Sequence, residues 1–366
     1  MAAALVLALA VGITLVATAT AGPAKRAAGG GPYTFVLSNN FLGNDWRPQV
    51  ERLAQLTANL PPFKGNVKLK IVNSQSTNQA QIADLNSIIQ TRPNAILLIP
   101  GSSTALDPSI TRACNAGILV LTLSVPVTAP CAINLNEDFY AGNKAAGQWM
   151  AKVLKGKGTV FVDHGIPGLG ISKSIEDGFR AGLKQYGPGI KVVGTYNGQY
   201  APGPEQSGIA SLLVAHPDVS GVMTQGYCTP VFNALKAAGK KPVPATCYGY
   251  NGEMVACAQP GHSCAILTNA TGQVQIAMRL AYDILQGTRE RPHGGPAQKD
   301  WIPYPQYMYV SPTPKVSIDA KGVPLFFVET LQKGKNFFPS LPAGLSLPYT
   351  IPEYAKLITP KAAAGK

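Results

Sequence analysis

From residue 33 to residue 287, short runs of Val, Ile and Leu alternate with stretches whose apolar positions recur at helical spacing. This β-α-β alternation is the pattern of parallel sheets. Strands of the first half end near Ser38, Asn73, Pro100 and Leu123, and those of the second near His164, Asn197, Thr224 and Tyr250. Two series of such similar spacing predict an α/β protein of two doubly wound lobes. The expected first lobe takes residues 33–135 plus about 270–310, and the second takes 138–268. Crossovers are expected near Leu135–Asp138, near Thr268–Gln273 and between Gly287 and Tyr304.

Two helices are particularly clear. Thr77 to Ile89 places Ile82, Leu85, Ile88 and Ile89 on one face behind a capping Thr or Asn, and Pro93 ends it. Asp138 to Leu154 starts on a capping carboxylate and offers Ala141, Ala145, Ala146, Trp149 and Met150 for close packing. Beyond Gly287, prolines interrupt an aromatic segment that leaves room for one strand, Gln306 to Val310. Residues 311–366 read as a Pro-rich tail.

The amino terminus changes the picture from a plain α/β protein to an exported one. Residues 4 to 19 form one apolar run, followed by Ala19-Thr20-Ala21, which resembles an A-x-A cleavage site. Residues 1–21 are read as a signal peptide and 22–32 as a Gly/Pro/Ala linker, which implies a periplasmic or extracellular protein. No Lys or Arg precedes the run, and it is short for a membrane span of about 20 residues. The cysteine count is even: Cys114, Cys131, Cys228, Cys247, Cys257 and Cys264. In an exported chain this suggests three disulfides, with the pairing open. If the two lobes are separate, Cys114 must pair with Cys131, and Cys228 with Cys247 and Cys257 with Cys264 are the nearest-neighbour choices. No C-x-x-C or Cys/His cluster supports a metal.

A 366-residue chain that is 46% hydrophobic has material for two cores. The net charge of +13 arises from 31 basic residues scattered singly or in pairs, without the aromatic interleaving of a nucleic-acid surface.

Ligands of open parallel sheets collect beyond the carboxyl ends of the strands. After the first strand comes Ser38-Asn39-Asn40-Phe41-Leu42-Gly43-Asn44-Asp45-Trp46-Arg47. Its amides and Arg47 supply the forked hydrogen bonds that polyols require, and its rings can cover apolar C–H faces. The plainer alternative makes Asn44 or Asp45 a helix cap and Trp46 a core residue. Enzyme chemistry finds little support. No G-x-S-x-G elbow exists, only His164 of the four histidines falls at a cleft position, and Gly165 to Ser174 lacks the Gly-Lys adjacency of a phosphate loop.

From this loop onward the chain resembles the sugar-type periplasmic binding proteins of ABC importers, the ribose-binding type. The resemblance covers about residues 33–287 and continues in family order. It runs through Asn73-Ser-Gln-Ser-Thr-Asn78-Gln-Ala, Ala95-Ile-Leu-Leu-Ile-Pro100-Gly-Ser and Ala113-Cys-Asn-Ala-Gly-Ile-Leu-Val-Leu-Thr122. In the second half, Leu212-Leu-Val-Ala-His-Pro217-Asp-Val-Ser-Gly-Val, Ala234-Leu-Lys-Ala-Ala-Gly239 and Gly249-Tyr-Asn-Gly252 follow. The resemblance implies a type I fold with a hinged cleft between the lobes. It also implies a non-enzymatic, monomeric solute-binding component without a cofactor, which closes on a small polar ligand and docks on a membrane permease. Trp46 would stack on the ligand and Tyr200 would form the opposite wall. Asn251 stands at a cleft Asp position, Asn269 near a ligand-binding Gln and Lys173 near a ligand-binding Arg. Asn39, Asn40, Phe41, Asn44, Arg47, Ser124, Gln225 and Tyr227 complete the expected site. Two departures matter: Ser124-Val125 replaces an Asp-Arg pair, and Gly226-Tyr227 replaces an Asn-Asp. Loss of the charged clamp argues against ribose itself. A repressor-type effector domain, a receptor-coupled sensor and an exported hydrolase are the alternatives; an export signal disfavours the first.

Overall fold

The two βα series fold into two sheets, each covered by helices on both faces. The structure, a computed structural model, describes residues 32–291, 302–303, 306–310 and 326–330. The first series runs β1 (Tyr33–Asn39), α1 (Trp46–Ala58), β2 (Val67–Asn73), α2 (Asn78–Gln90), β3 (Ala95–Ile99), α3 (Asp107–Asn115), β4 (Leu119–Leu123) and β5 (Ile133–Asn136). The second runs α4 (Phe139–Val153), β6 (Lys157–Asp163), α5 (Gly170–Tyr186), β7 (Gly189–Tyr196), α6 (Pro202–Ala215), β8 (Gly221–Met223), α7 (Thr229–Ala237), β9 (Ala245–Tyr248), α8 (Asn251–Cys257) and β10 (Cys264–Leu267). Then follow α9 (Gln273–Gln286), β11 (Ile302–Pro303), β12 (Gln306–Val310) and β13 (Phe326–Thr330).

The first sheet has the order β11-β5-β4-β3-β1-β2 and the second β13-β12-β10-β9-β8-β6-β7. Strands β3 and β4 are buried at every position because helices cover both faces. Helices α1 and α9 close one face of the first sheet through Val50, Ala54, Val274 and Leu280. Leu85 and Ile88 of α2 and Ile110 of α3 close the other. In the second sheet α4 and α5 share one face, while α6, α7 and α8 take the opposite one.

Both clear helices are capped as their sequences predict. The Thr77 hydroxyl accepts from Ala80 N at 3.1 Å, and Asp138 Oδ1 accepts from Ala141 N at 2.9 Å. Each such cap contributes about 1 kcal/mol. The strands β5 and β10, each of 4 residues, were not anticipated from the sequence pattern.

The chain passes between the sheets at β5–α4, β10–α9 and β11–β12. The last passage corrects an expectation: residues 306–310 do not join the first lobe. They pair antiparallel with β10 in the second sheet, where Met308 and Val310 fill the core beneath α4. Only β11, parallel to β5, stays with the first sheet. Within the expected tail, β13 adds a parallel strand beside β12. The leader at 1–21, the linker up to Gly31 and the rest of the tail lie outside the described residues. Among the described residues, no helix is long and apolar enough to cross a membrane.

Three disulfides bind short segments within the lobes. Cys114 joins Cys131, Cys228 joins Cys247 and Cys257 joins Cys264, with Cα separations of 6.3, 5.3 and 5.8 Å.

Candidate functional site

A cavity opens between the sheets, and the residues lining it follow the carboxyl ends of strands from both. Phe41, Asn44, Trp46 and Arg47 come after β1, Ser124 and Val125 after β4, and Phe139 after β5. From the second sheet come Leu169, Ile171 and Ile175 after β6, Tyr200 after β7, Gln225 after β8, and Tyr248, Gly249 and Tyr250 at the end of β9. Asn269, after β10, completes the wall. Parallel strands aim their carboxyl ends one way, so one site gathers loops distant in sequence.

The aromatic frame is held rigidly. Trp46 is buried, and its Nε1 donates to the Asn269 carbonyl oxygen at 2.7 Å. Opposite, the Tyr200 hydroxyl donates to Gln225 Oε1 at 2.9 Å and lies 2.7 Å from Ser172 Oγ. Gln225 Nε2 donates to the carbonyls of Asp163 and Ser172 at 3.0 and 2.9 Å, so this amide positions Tyr200. Burial raises the Tyr200, Tyr248 and Tyr250 phenols above their ordinary range and keeps them neutral donors. Asn269 Nδ2 donates to Ser124 Oγ at 3.4 Å, and Ser124 N donates to Gln273 Oε1 at 2.8 Å. Ser124 and Tyr200 have φ of 65° and 52°. A left-handed non-glycine residue costs about 1–3 kcal/mol and marks sites whose surroundings over-determine the backbone.

Arg47 is the electrostatic centre. It is 6% exposed, and its guanidinium carbon lies 4.7 Å from the Phe41 ring centroid and 5.3 Å from that of Trp46. Burial pushes the group down to about 9, which leaves it charged at neutral pH. Nε and Nη1 are enclosed without a hydrogen-bond partner. Ring contacts return about 1–2 kcal/mol, less than the several kcal/mol that burying an unpaired charge costs.

A second recess shares Phe41 and Leu169 with the first and has Asn40, Ser76, Asn78 and Gln199 together with Ile166 and Pro167 on its walls. The expected site residues therefore divide. Phe41, Asn44, Trp46, Arg47, Ser124, Tyr200, Gln225 and Asn269 meet at the inner cavity, and Asn40 faces the outer recess. Asn39 does not reach either space: its Nδ2 donates to Glu51 Oε1 and Asn73 Oδ1 at 2.7 and 3.1 Å. Lys173 is corrected as well. The face of α5 turned to the cleft carries Ile171 and Ile175, while Lys173 projects into solvent and pairs with Asp177. Tyr227 sits behind the wall, stacked on Tyr250 with centroids 4.7 Å apart. Asn251 opens α8, and its side chain lies outside the described residues. His164 Nδ1 lies 2.6 Å from Glu176 Oε2 and does not line the inner cavity.

Sequence reading missed Phe139, Leu169, Ile171, Ile175, Tyr248 and Tyr250. Phe139, Tyr248 and Tyr250 lie at or just past a strand end, whereas Leu169, Ile171 and Ile175 lie at or inside the start of α5 and carried no such signal.

Two sheets opposed across an aromatic, largely uncharged cavity, joined by adjacent crossovers, define the class of two-lobed proteins that enclose a ligand in a cleft. The chain belongs to the family whose model is described as the periplasmic binding protein domain, which matches residues 35–289. The ribose import binding protein of Escherichia coli is 25% identical over 214 residues, covering 57% of this chain and 70% of that protein. A crystal structure of an ABC transporter solute binding protein from Thermobispora bispora matches with a TM-score of 0.64 and 26% identity, covering 71% of this chain and 82% of the other. A Mycobacterium smegmatis protein in complex with β-D-fucofuranose shares the fold, with a TM-score of 0.66 and 20% identity, covering 76% of this chain and 91% of the other. The type I periplasmic binding fold expected from the motifs is therefore the fold of this protein. Its relatives are periplasmic sugar- and polyol-binding proteins rather than enzymes.

Proposed function

We propose that the protein is the extracytoplasmic solute-binding component of an ABC importer, closing its lobes on a small polyol-like ligand and presenting the closed form to a membrane permease. The observation that carries this reading is the inner cavity itself. Rings stand on both sides, Trp46 and Phe41 from one lobe and Tyr200 and Tyr250 from the other, with Asn44, Ser124 and Asn269 between them. Rings cover C–H faces while amides and hydroxyls satisfy hydroxyl groups. The type I family and the ribose-binding relative support the same ligand class.

A thermal-shift and Trp-fluorescence screen of pentoses, hexoses and their polyols tests the reading. A cognate compound raises the melting temperature and shifts the emission of Trp46. Phe41→Ala, in the half-buried loop after β1, weakens its binding about tenfold and leaves the ligand-free melting temperature nearly unchanged. Catalytic turnover dependent on His164, with no ligand shifting the protein, would defeat the proposal.

A further inference from the structure

Gln273, the first residue of α9, is fully buried and does not line the inner cavity, yet its amide meets two residues that do. Ser124 N donates to Gln273 Oε1 at 2.8 Å, closer than the 3.3 Å to the Leu135 carbonyl oxygen that shares the same hydrogen. A backbone N–H can only donate, so it fixes which end of the Gln273 amide is the oxygen. Nε2 is thereby turned to Asn269 and donates to its Oδ1 at 2.8 Å. With Oδ1 engaged, the Asn269 amide turns Nδ2 to Ser124 Oγ, 3.4 Å away. Gln273, Asn269 and Ser124 close a ring whose orientation follows from one backbone hydrogen. The Asn269 carbonyl oxygen extends it to Trp46, accepting from Nε1 at 2.7 Å.

The residue just before this ring is tied to the other lobe. The Thr268 carbonyl oxygen accepts from Gln306 Nε2 of β12 at 3.2 Å. Asn269 is therefore fastened to the first lobe one residue after a bond to the second. We infer that Gln273 is the positioning residue of the first-lobe wall. It holds Ser124 in its left-handed backbone and fixes the direction of the Asn269 amide, so Trp46, Ser124 and Asn269 meet the ligand as one preformed unit. Without it, the loops after β4 and β10 would be ordered only as the ligand enters, at a cost in affinity. This rests on the solute-binding reading above and adds to it a residue outside the cavity that sets how tightly the cavity binds.

Gln273→Met, similar in length and without the amide, tests the assignment in two ways. In the ligand-free protein, nitrogen-labelled magnetic resonance shows the Trp46 indole N–H signal, assigned by its loss in Trp46→Phe, shifted, with those of the other two tryptophans in place. In isothermal titration with D-ribose, D-xylose, D-galactose and xylitol, the variant binds about tenfold more weakly whichever of these the wild type binds. Gln273→Asn, one methylene shorter, draws the amide out of reach of both partners and gives the same two changes, so the test does not hang on the folding of one variant. A merely structural Gln273 lowers the melting temperature and leaves both the Trp46 signal and the affinity of the folded protein unchanged; that result overturns the inference while the solute-binding function stands. If none of the four compounds binds the wild type, that function loses its expected ligand class and the Trp46 signal alone decides. Shifted, it keeps Gln273 in its positioning role; unshifted, it removes it.

Discussion

Arg47 and Glu137 are both enclosed ionisable groups without an ion-pair partner, but they face different surroundings. Glu137 lies on the first crossover, fully buried, with Oε1 accepting from Ala270 N of the second crossover at 3.4 Å and Oε2 unpartnered. Burial pushes its carboxyl well above the ordinary range, against a smaller lowering by the Ala270 bond. The folded protein therefore holds this proton more tightly than the unfolded chain. Its contribution to stability is complete below the unfolded carboxylate range and is lost as pH rises through the folded value. Glu137→Gln keeps a neutral, similarly shaped side chain. Calorimetry should find that its melting temperature falls less between pH 5 and pH 8 than that of the wild type. Asp163, Glu205 and Glu253 shift in the same direction, so the wild-type slope is reduced rather than abolished. An equal fall would show Glu137 ionised in the fold. At this scale sequence was a partial guide. The Phe41-to-Arg47 loop was legible because residues just past a strand end face the cleft. Lys173 was not, because the direction of a side chain on a helix depends on which helix face packs.

Helices α4 and α5 show how an element answers to its neighbour more than to its own propensity. Ala substitution normally improves a helix at a glycine by about 1 kcal/mol. A Cβ on Gly182 of α5, however, would sit 2.2 Å from the Lys144 carbonyl oxygen of α4, and one on Gly147 would sit 2.3 Å from the Phe179 carbonyl oxygen. Backbone cannot yield as a side-chain tip can. Gly182→Ala is therefore expected to destabilise the protein by about 1–3 kcal/mol in chemical denaturation, the reverse of the propensity sign. A stabilised variant would mean that the helices are not packed this closely. Strand β12 makes the same point. Its sequence signalled a strand, yet only the pairing of Met308 with Leu267 put it in the second sheet. Local pattern sets the kind of element, and long-range pairing sets its address.

Across the whole molecule, the two lobes come close at the rim of the cleft. Gly170, at the start of α5, faces Ser103 of the first lobe, and a Cβ there would meet Ser103 Oγ at 2.9 Å. Gly170→Leu should prop the lobes apart. Its ligand-free melting temperature should stay close to wild type, while ligand affinity falls about tenfold and the ligand-induced drop in radius of gyration, read by small-angle scattering, disappears. Unchanged contraction would show that closure does not bring these surfaces together. The alternation of apolar runs and helical stretches by itself determined two doubly wound sheets, the capped helices and the loop that carries Trp46 and Arg47, because these depend on neighbours a few residues apart. Only the tertiary structure decided that Arg47 stands unpaired among rings, that Gln225 braces Tyr200, that Tyr227 backs Tyr250 and that the chain crosses into the second sheet at residue 306. Each of those depends on groups far apart in sequence, whose meeting is settled by packing and by the competition for buried hydrogen bonds.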